Sequence, residues 1–213
     1  MEALYNRPVP FIAGDRTMTW LSSVTLTGQR ATLEPLDHRH RADLAAAVED
    51  GALYRLWYTN VAPPTEMDQE IDRRLRLQRE GSMLPFAVID NATASAVGMT
   101  TYMNVDATHR RVEIGSTWYR QSVQRTGINT ECKLLLLTHA FQTLDCIAVE
   151  FRTHFFNRSS RRAIERLGAK LDGVLRNHQR ARDGTLRDTC VYSIIASEWP
   201  TVRSHLRALL ERP

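Results

Sequence analysis

The chain has 213 residues, 43% of them hydrophobic and 24% charged, with a formal net charge of +4. A chain of this length and composition can bury a substantial core without metal or disulfide staples, which excludes a small disulfide scaffold, a collagen-like repeat and a disordered polymer. No run of about 18 apolar residues is present and the first residues lack a basic, then apolar, leader, so neither a spanning helix nor a signal peptide is expected.

The three cysteines (Cys132, Cys146, Cys190) have no C-x-x-C spacing and read as reduced thiols, with a cytoplasmic location expected. Cys132 and Cys190 read as small apolar fillers, so a covalent acetyl-cysteine route is not expected. Nearly all basic residues are arginine, Lys133 and Lys170 being the only lysines. Arginine matches planar carboxylate and phosphate groups, so an anionic ligand fits this chain. Acids interleave with bases and no dense basic run occurs, which argues against nucleic acid as a partner; no membrane partner is expected either.

Residues 1–22 read as a separate arm, and residues 23–213 as one domain. From Val24 to Leu36 the pattern is strand-like, broken at Thr27-Gly28. Asp37 can cap a helix carrying Leu44, Ala45 and Val48 that ends at Gly51. Leu56-Trp57-Tyr58 and Pro63-Pro64 mark a loop. Thr65 and Asp68 form a weak capping box for a helix with Met67, Ile71 and Leu75 on one face, ending at Gly81. Pro85 to Asp90, Ala96 to Asn104 and Val112 to Tyr119 read as strands. Thr130 to Leu144 is a long apolar helix with Leu134, Leu135, Leu137, Ala140, Phe141 and Leu144 facing a core. Ile147 to Thr153 alternates as a strand, and Asn157 caps a helix that ends at Gly168. Lys170 to His178 and Arg187 to Ile195 flank the hairpin signal Asp183-Gly184. Ser197 caps a last helix through Leu210. This order predicts an α+β fold, a mixed sheet with helices on its faces.

Chemistry concentrates between Glu113 and Gly168. The loop before the long helix reads Gln124-Arg125-Thr126-Gly127-Ile128-Asn129-Thr130. A glycine there lets the backbone turn its amides inward at the positive end of the helix, where a diphosphate can sit, and Arg125 adds charge. The loop is neither a Walker A loop nor a Rossmann fingerprint. No metal-ligand cluster is present.

Gln124-x-x-Gly127-x-Asn129, between a strand and a long helix, resembles the Q/R-x-x-G-x-G/A motif of the GNAT superfamily of acetyl-CoA-dependent N-acetyltransferases, departing from it at Asn129. Asn157-Arg158-Ser159-Ser160 through Glu165-Arg166-Leu167-Gly168 looks like that family's N-x-x-[AS]-x-x-[AL]-x-E-[KR]-L-G helix. Val112-Glu113-Ile114-Gly115 matches the preceding strand. Thr130-Glu131 with Lys133-Leu134-Leu135 fits the branch resembling the ribosomal-protein N-terminal acetyltransferases (RimJ/RimL-like).

The resemblance spans residues 24–197 and implies a mostly antiparallel twisted sheet whose splayed strand pair holds the pantetheine arm of acetyl-CoA. It implies an amine acceptor (a protein N-terminus, an amino acid or a small amine) and is compatible with a homodimer. Ser116, Thr117 and Trp118 would bond the arm through their backbone, Arg125 to Thr130 would take the diphosphate, and Asn157 would contact the thiol end. Attack of a neutral amine on a thioester needs a base, an oxyanion donor and an acid for the thiolate. Glu113 reads equally as that base, acting through a water with a pKa raised by an apolar setting, and as a structural partner of Arg111 or another arginine. The family's tyrosine acid falls at Ile164 here, which leaves Ser160 as either the acid or a small residue that admits CoA.

Trp57, Tyr58 and Asn60 lie in the loop that covers the acceptor pocket in the family, with Trp57 reading equally as core. Trp118 reads as core more than as a ligand contact. His38 and His40 read as solvated. His154, at the end of its strand, is a lesser candidate for proton transfer. His178 and the Arg176–Arg182 cluster read as facing water more than an acidic acceptor. A non-catalytic acyl-CoA-binding module of the same fold is the alternative to an enzyme.

Overall fold

A computed structural model describes residues 20–181 and 183–211. Most of the expected N-terminal arm lies outside these residues. Its end, Trp20 and Leu21, packs on the core, and the Trp20 indole donates to the Leu144 carbonyl at 3.1 Å.

The elements run β1 (Leu26–Thr27), β2 (Ala31–Pro35), α1 (Arg41–Glu49), α2 (Met67–Arg79), β3 (Met83–Asp90), β4 (Ser95–Asp106), β5 (Arg111–Tyr119), α3 (Ile128–Thr138), β6 (Ala148–His154), α4 (Arg158–Arg166), β7 (Lys170–Arg180), β8 (Leu186–Ile195) and α5 (Trp199–Glu211). The order matches the sequence reading. The strands form one eight-stranded sheet in the order β1-β2-β3-β4-β5-β6-β8-β7. Every pairing is antiparallel except that of β5 with β6, where a parallel partner needs a crossover, supplied here by α3.

Two apolar layers sandwich the sheet. On one face Leu33, Phe86, Val88, Val112 and Ile114 pack against Cys132, Leu136 and Leu137 of α3 and Val202 and Leu206 of α5. On the other, Ala87, Met99 and Trp118 pack against Leu44 and Val48 of α1 and Met67 and Ile71 of α2. Trp118 is therefore core.

Local details depart from the sequence reading where polar groups outweigh the apolar pattern. Asp37 does cap, but it caps a short 3-10 turn before α1: its side chain accepts from the Arg39 amide, and His40 Nδ1 accepts from the Asp37 amide. His40 is thus buried in a capping box rather than solvated. The Thr65–Asp68 box does not form, because a 3-10 turn opened by Pro64 precedes α2 and its cap, Pro63, makes no side-chain bond. In α3 the polar Thr130, Glu131 and Lys133 are buried, while Leu134 and Leu135 are only half-buried. The helix closes through a π turn at His139–Thr143.

Glu131 explains part of that inversion. Its carboxylate accepts the amides of Gln29, Arg30 and Ala31 at 3.0, 2.7 and 2.8 Å, fixing the β1–β2 turn to α3. Removing it strands three amides, each worth about 1–3 kcal/mol if left dry. Glu131→Ala should therefore lower stability by about 3 kcal/mol, read from the midpoint of urea unfolding. A change under about 0.5 kcal/mol would show that water replaces the carboxylate at no cost.

Candidate active site

β5 and β6 pair over only three residues: Arg111 with Ala148, Val112 with Val149 and Glu113 with Glu150. Beyond Glu113 the strands diverge and open a slot. On its other edge β5 stays paired with β4, but the register shifts between Met99/Trp118 and Thr101/Gly115, so Ser116 and Thr117 together face Thr100. This is a β-bulge, with Ser116 at φ +47. It also resets the side-chain alternation, so Thr117 turns towards α3 and Trp118 towards α1 and α2.

Ser116, Thr117 and Trp118 do not behave alike. The Arg120 amide bonds the Val97 carbonyl, which puts Trp118 in the hydrogen-bonded pair with Met99. The Trp118 main chain thus serves β4, not the slot. Thr117 and Tyr119 have their main chain on the slot edge, and the Tyr119 carbonyl there accepts the Gln124 side-chain amide at 3.0 Å. Gln124 is a tether between loop and strand.

Glu113 stands where the slot begins. It is 5% exposed, accepts from Asn104 Nδ2 at 2.6 Å and lies 3.5 Å from Arg152 Nε. Burial pushes its carboxyl above the usual value, against the opposing pull of Asn104, Arg152 and Arg187. Arg111 is not its partner, because that guanidinium pairs with Glu150. Gly115 leaves room for the carboxylate: a Cβ there would stand 2.7 Å from Glu113 Oε1.

At the open end of β6 lies a cleft of about 200 Å³, lined by Trp57, Tyr58, Asn60, His154, Arg180 and Arg187 among others. The three loop residues expected at an acceptor pocket line it together. Trp57 is 58% exposed and so is not core. Trp57, Tyr58 and Phe156 surround the His154 ring, with centroids 5.1 to 6.4 Å away. His154 Nδ1 accepts the Phe156 amide at 3.1 Å, so the neutral ring carries its hydrogen on Nε2. Burial, helped by Arg187, holds this histidine below its usual pKa. With its Nδ1 lone pair taken, His154 offers the cleft a donor, not a base. Arg180 borders the cleft rather than only water, while Arg176 and His178 are exposed.

The other end of the slot meets the loop before α3. Here the left-handed residue is Arg125, at φ +66, and Gly127 is helical. Gly127 does not supply the expected turn, and a Cβ there would lie 2.8 Å from the exposed Arg30 side chain. Thr126 Oγ1 accepts the Ile128 amide at 3.3 Å. The amides of Gly127, Asn129 and Thr130 have no acceptor among the described residues and point out of the helix start. The Thr130 hydroxyl is buried and accepts from Arg166 at 2.7 Å.

Arg125, Arg162 and Arg166, with Ser159 and Ala163, line a second cleft beside this loop. Ser159, Arg162, Ala163 and Arg166 lie on one face of α4, at spacings of three and four. Asn157 caps α4 by accepting the Ser160 amide at 3.0 Å, so its oxygen is engaged and its NH₂ group remains for a ligand. Ser160 is half-buried in the first turn of α4. Arg162 and Arg166 went unread in the sequence, though their four-residue spacing on the Ser159 face was visible there. Asn104, Arg152 and Arg187 carried no local signal, because only the strand register brings them to Glu113.

A family model described as an acetyltransferase (GNAT) domain matches residues 30–170. The Bacillus subtilis (strain 168) protein named "Putative ribosomal N-acetyltransferase YdaF" is 32% identical over 110 residues, 49% of this chain and 56% of that protein, so the match spans just over half of that relative. A GCN5-related N-acetyltransferase from Brucella melitensis superposes with a TM-score of 0.80 at 30% identity, covering 90% of this chain and 87% of that one. Mycobacterium smegmatis RimJ, in complex with a CoA disulfide, shares the fold with a TM-score of 0.75 at 22% identity, over 90% of this chain and 96% of that one. Opened at β5 and β6 and matched across most of its sheet, the chain belongs to the GNAT acetyltransferase family.

Proposed function

We propose that this enzyme is an acetyl-CoA-dependent N-acetyltransferase that moves the acetyl group to a primary amine by direct attack, with both substrates bound at once. One observation carries the reading: the slot between β5 and β6 joins a buried carboxylate and an acceptor-sized cleft to a loop of free amides walled by arginine.

The residues fit the donor. Three unpartnered amides at the start of α3 suit a diphosphate, and Arg125, Arg162 and Arg166 suit phosphate charge beside it. Thr117 and Tyr119 present main-chain groups to an extended pantetheine arm, and the free NH₂ of Asn157 lies at the thiol end. Bound acetyl-CoA supplies a thioester carbon for attack. Glu113 takes the amine proton, through a water, once its carboxylate is ionised. The Nε2–H of His154 and the walls of Trp57, Tyr58 and Asn60 orient the acceptor. Ser160, in the first turn of α4, returns a proton to the thiolate in this reading. Arg180 and Arg187 in the cleft favour an amine whose own molecule carries a carboxylate near the reacting nitrogen.

The test is release of free thiol from acetyl-CoA over a panel of peptide N-termini, amino acids and small amines, alongside calorimetry with acetyl-CoA alone. Saturable binding with acceptor-dependent thiol release supports the reading. Tight binding with no release for any acceptor would favour a binding module, and no binding at all would end both.

A further inference from the structure

Two side chains approach one oxygen of Glu113 and leave the other bare. Asn104 Nδ2 donates to Oε2 at 2.6 Å, and Arg152 Nε lies 3.5 Å from the same atom. Oε1 has no hydrogen-bond partner among the described residues. It lies on the Gly115 side, where a Cβ would come within 2.7 Å of it. Nor is it sealed in: the closed-off side-chain oxygens and nitrogens without a partner are Tyr119 Oη and Trp199 Nε1. The bare oxygen thus opens on the stretch where β5 parts from β6.

The backbone is shaped for the Asn104 contact. β4 and β5 change register between Met103/Glu113 and Asp106/Arg111, and within that bulge Asn104 sits at φ +48. Left-handed backbone is uncommon outside glycine, and asparagine is among the side chains that tolerate it. Asn104 is itself exposed, so its amide has water available and does not need the carboxylate; the buried partner is Glu113.

We propose that Asn104 is a positioning residue: its amide ties down Oε2 of Glu113, so that Oε1 is the oxygen presented to the proton of the acceptor amine. This rests on the reading of Glu113 as the base. A carboxylate with one oxygen fixed and one free keeps a single orientation towards the substrate, and a donor to the ionised form favours that form. The other charged groups facing Glu113 are engaged elsewhere. Arg111 of β5 pairs with Glu150 of β6, Arg152 of β6 gives Nη2 to Glu150 at 2.9 Å, and Arg187 of β8 donates to Thr189 Oγ1 at 3.2 Å.

The test sets Asn104→Gly and Asn104→Asp beside the parent in thiol-release kinetics over pH. Glycine accepts φ +48 without strain, so that variant keeps the bulge and loses the amide. Aspartate keeps the shape and the left-handed tolerance of asparagine, and reads the same limb if the bulge needs a side chain. Burial pushes the Glu113 carboxyl up, and Asn104 is the largest pull against it. Without that donor the ionised form is reached at higher pH. The acid limb of kcat should therefore move up by about one pH unit in Asn104→Gly, and further in Asn104→Asp, which sets a second carboxyl against the first. On the plateau above the limb, kcat of Asn104→Gly should stay about fivefold below the parent, because the freed carboxylate rotates, with the KM for acetyl-CoA within about twofold. An NMR titration of the Glu113 carboxyl carbon, which needs no substrate, should show the same upward move. An unmoved limb or carbon titration, or a plateau kcat equal to the parent's, overturns the proposal and leaves Glu113 as base. An acid limb that survives in Glu113→Gln overturns the base reading and this proposal with it. Absence of thiol release from the parent with any acceptor overturns the enzyme reading as well.

Discussion

Replacing Glu113 with glutamine is expected to lower kcat by about 10²–10³-fold while moving the KM for acetyl-CoA by less than about threefold. The amide keeps an oxygen for Asn104 Nδ2 and nearly the same volume beside Gly115, so the slot retains its shape. It cannot take a proton. The pH dependence follows from the direction of the shift. Burial raises the Glu113 pKa above its ordinary 4.5, and activity needs the ionised form, so kcat should fall as pH drops through that raised value. Stability runs the other way. A carboxyl whose folded pKa is raised favours folding when neutral and weakens it once ionised, as pH climbs through the folded value. Glu113→Gln should therefore melt at or above the parent temperature at pH 7 while losing turnover. Unchanged kcat with a lower melting temperature would make Glu113 a structural partner of Asn104 and Arg152.

That separation between stability and turnover marks the limit of what the chain discloses when read linearly. Period-two and period-3.6 patterns report which face of an element is apolar, and they located the strands and the main helices. They could not report the bulge at Ser116 and Thr117, which depends on how β4 and β5 pair, nor the short contact of β5 with β6. The extra residue turned the Trp118 main chain to β4, away from the slot where it was expected, while its ring lies in the core as expected. Local capping was only half legible. Asp37 was visible as a cap, but His40 closing the box from the other side was not, because histidine is rarely recruited so. Gly127 was expected to turn the loop, yet the residue at left-handed φ there is Arg125, and a Cβ on Gly127 would meet the Arg30 side chain.

The arginine cleft should show the opposite kinetic signature to Glu113. Arg125 and Arg162 stand at the far end of the slot from the carboxylate, among groups that would meet phosphate and never the reacting carbon. Interactions made equally in ground and transition states change KM and leave kcat alone. The double substitution Arg125→Ala with Arg162→Ala should raise the KM for acetyl-CoA about 30-fold at low salt, with kcat at saturation within about twofold. Both guanidiniums are open to solvent, so the loss is set near tenfold or less for each rather than at the value of a dry charge-assisted bond. Screening adds a second readout: the parent's affinity should fall as salt rises, and the double variant's should fall less steeply. Arg166 is left in place because its bond to Thr130 supports the start of α3, and removing it would mix loop distortion with loss of charge. Equal salt dependence in both proteins, with KM unmoved, would mean that the donor's phosphates lie elsewhere, and the free amides of Gly127, Asn129 and Thr130 would then need another ligand.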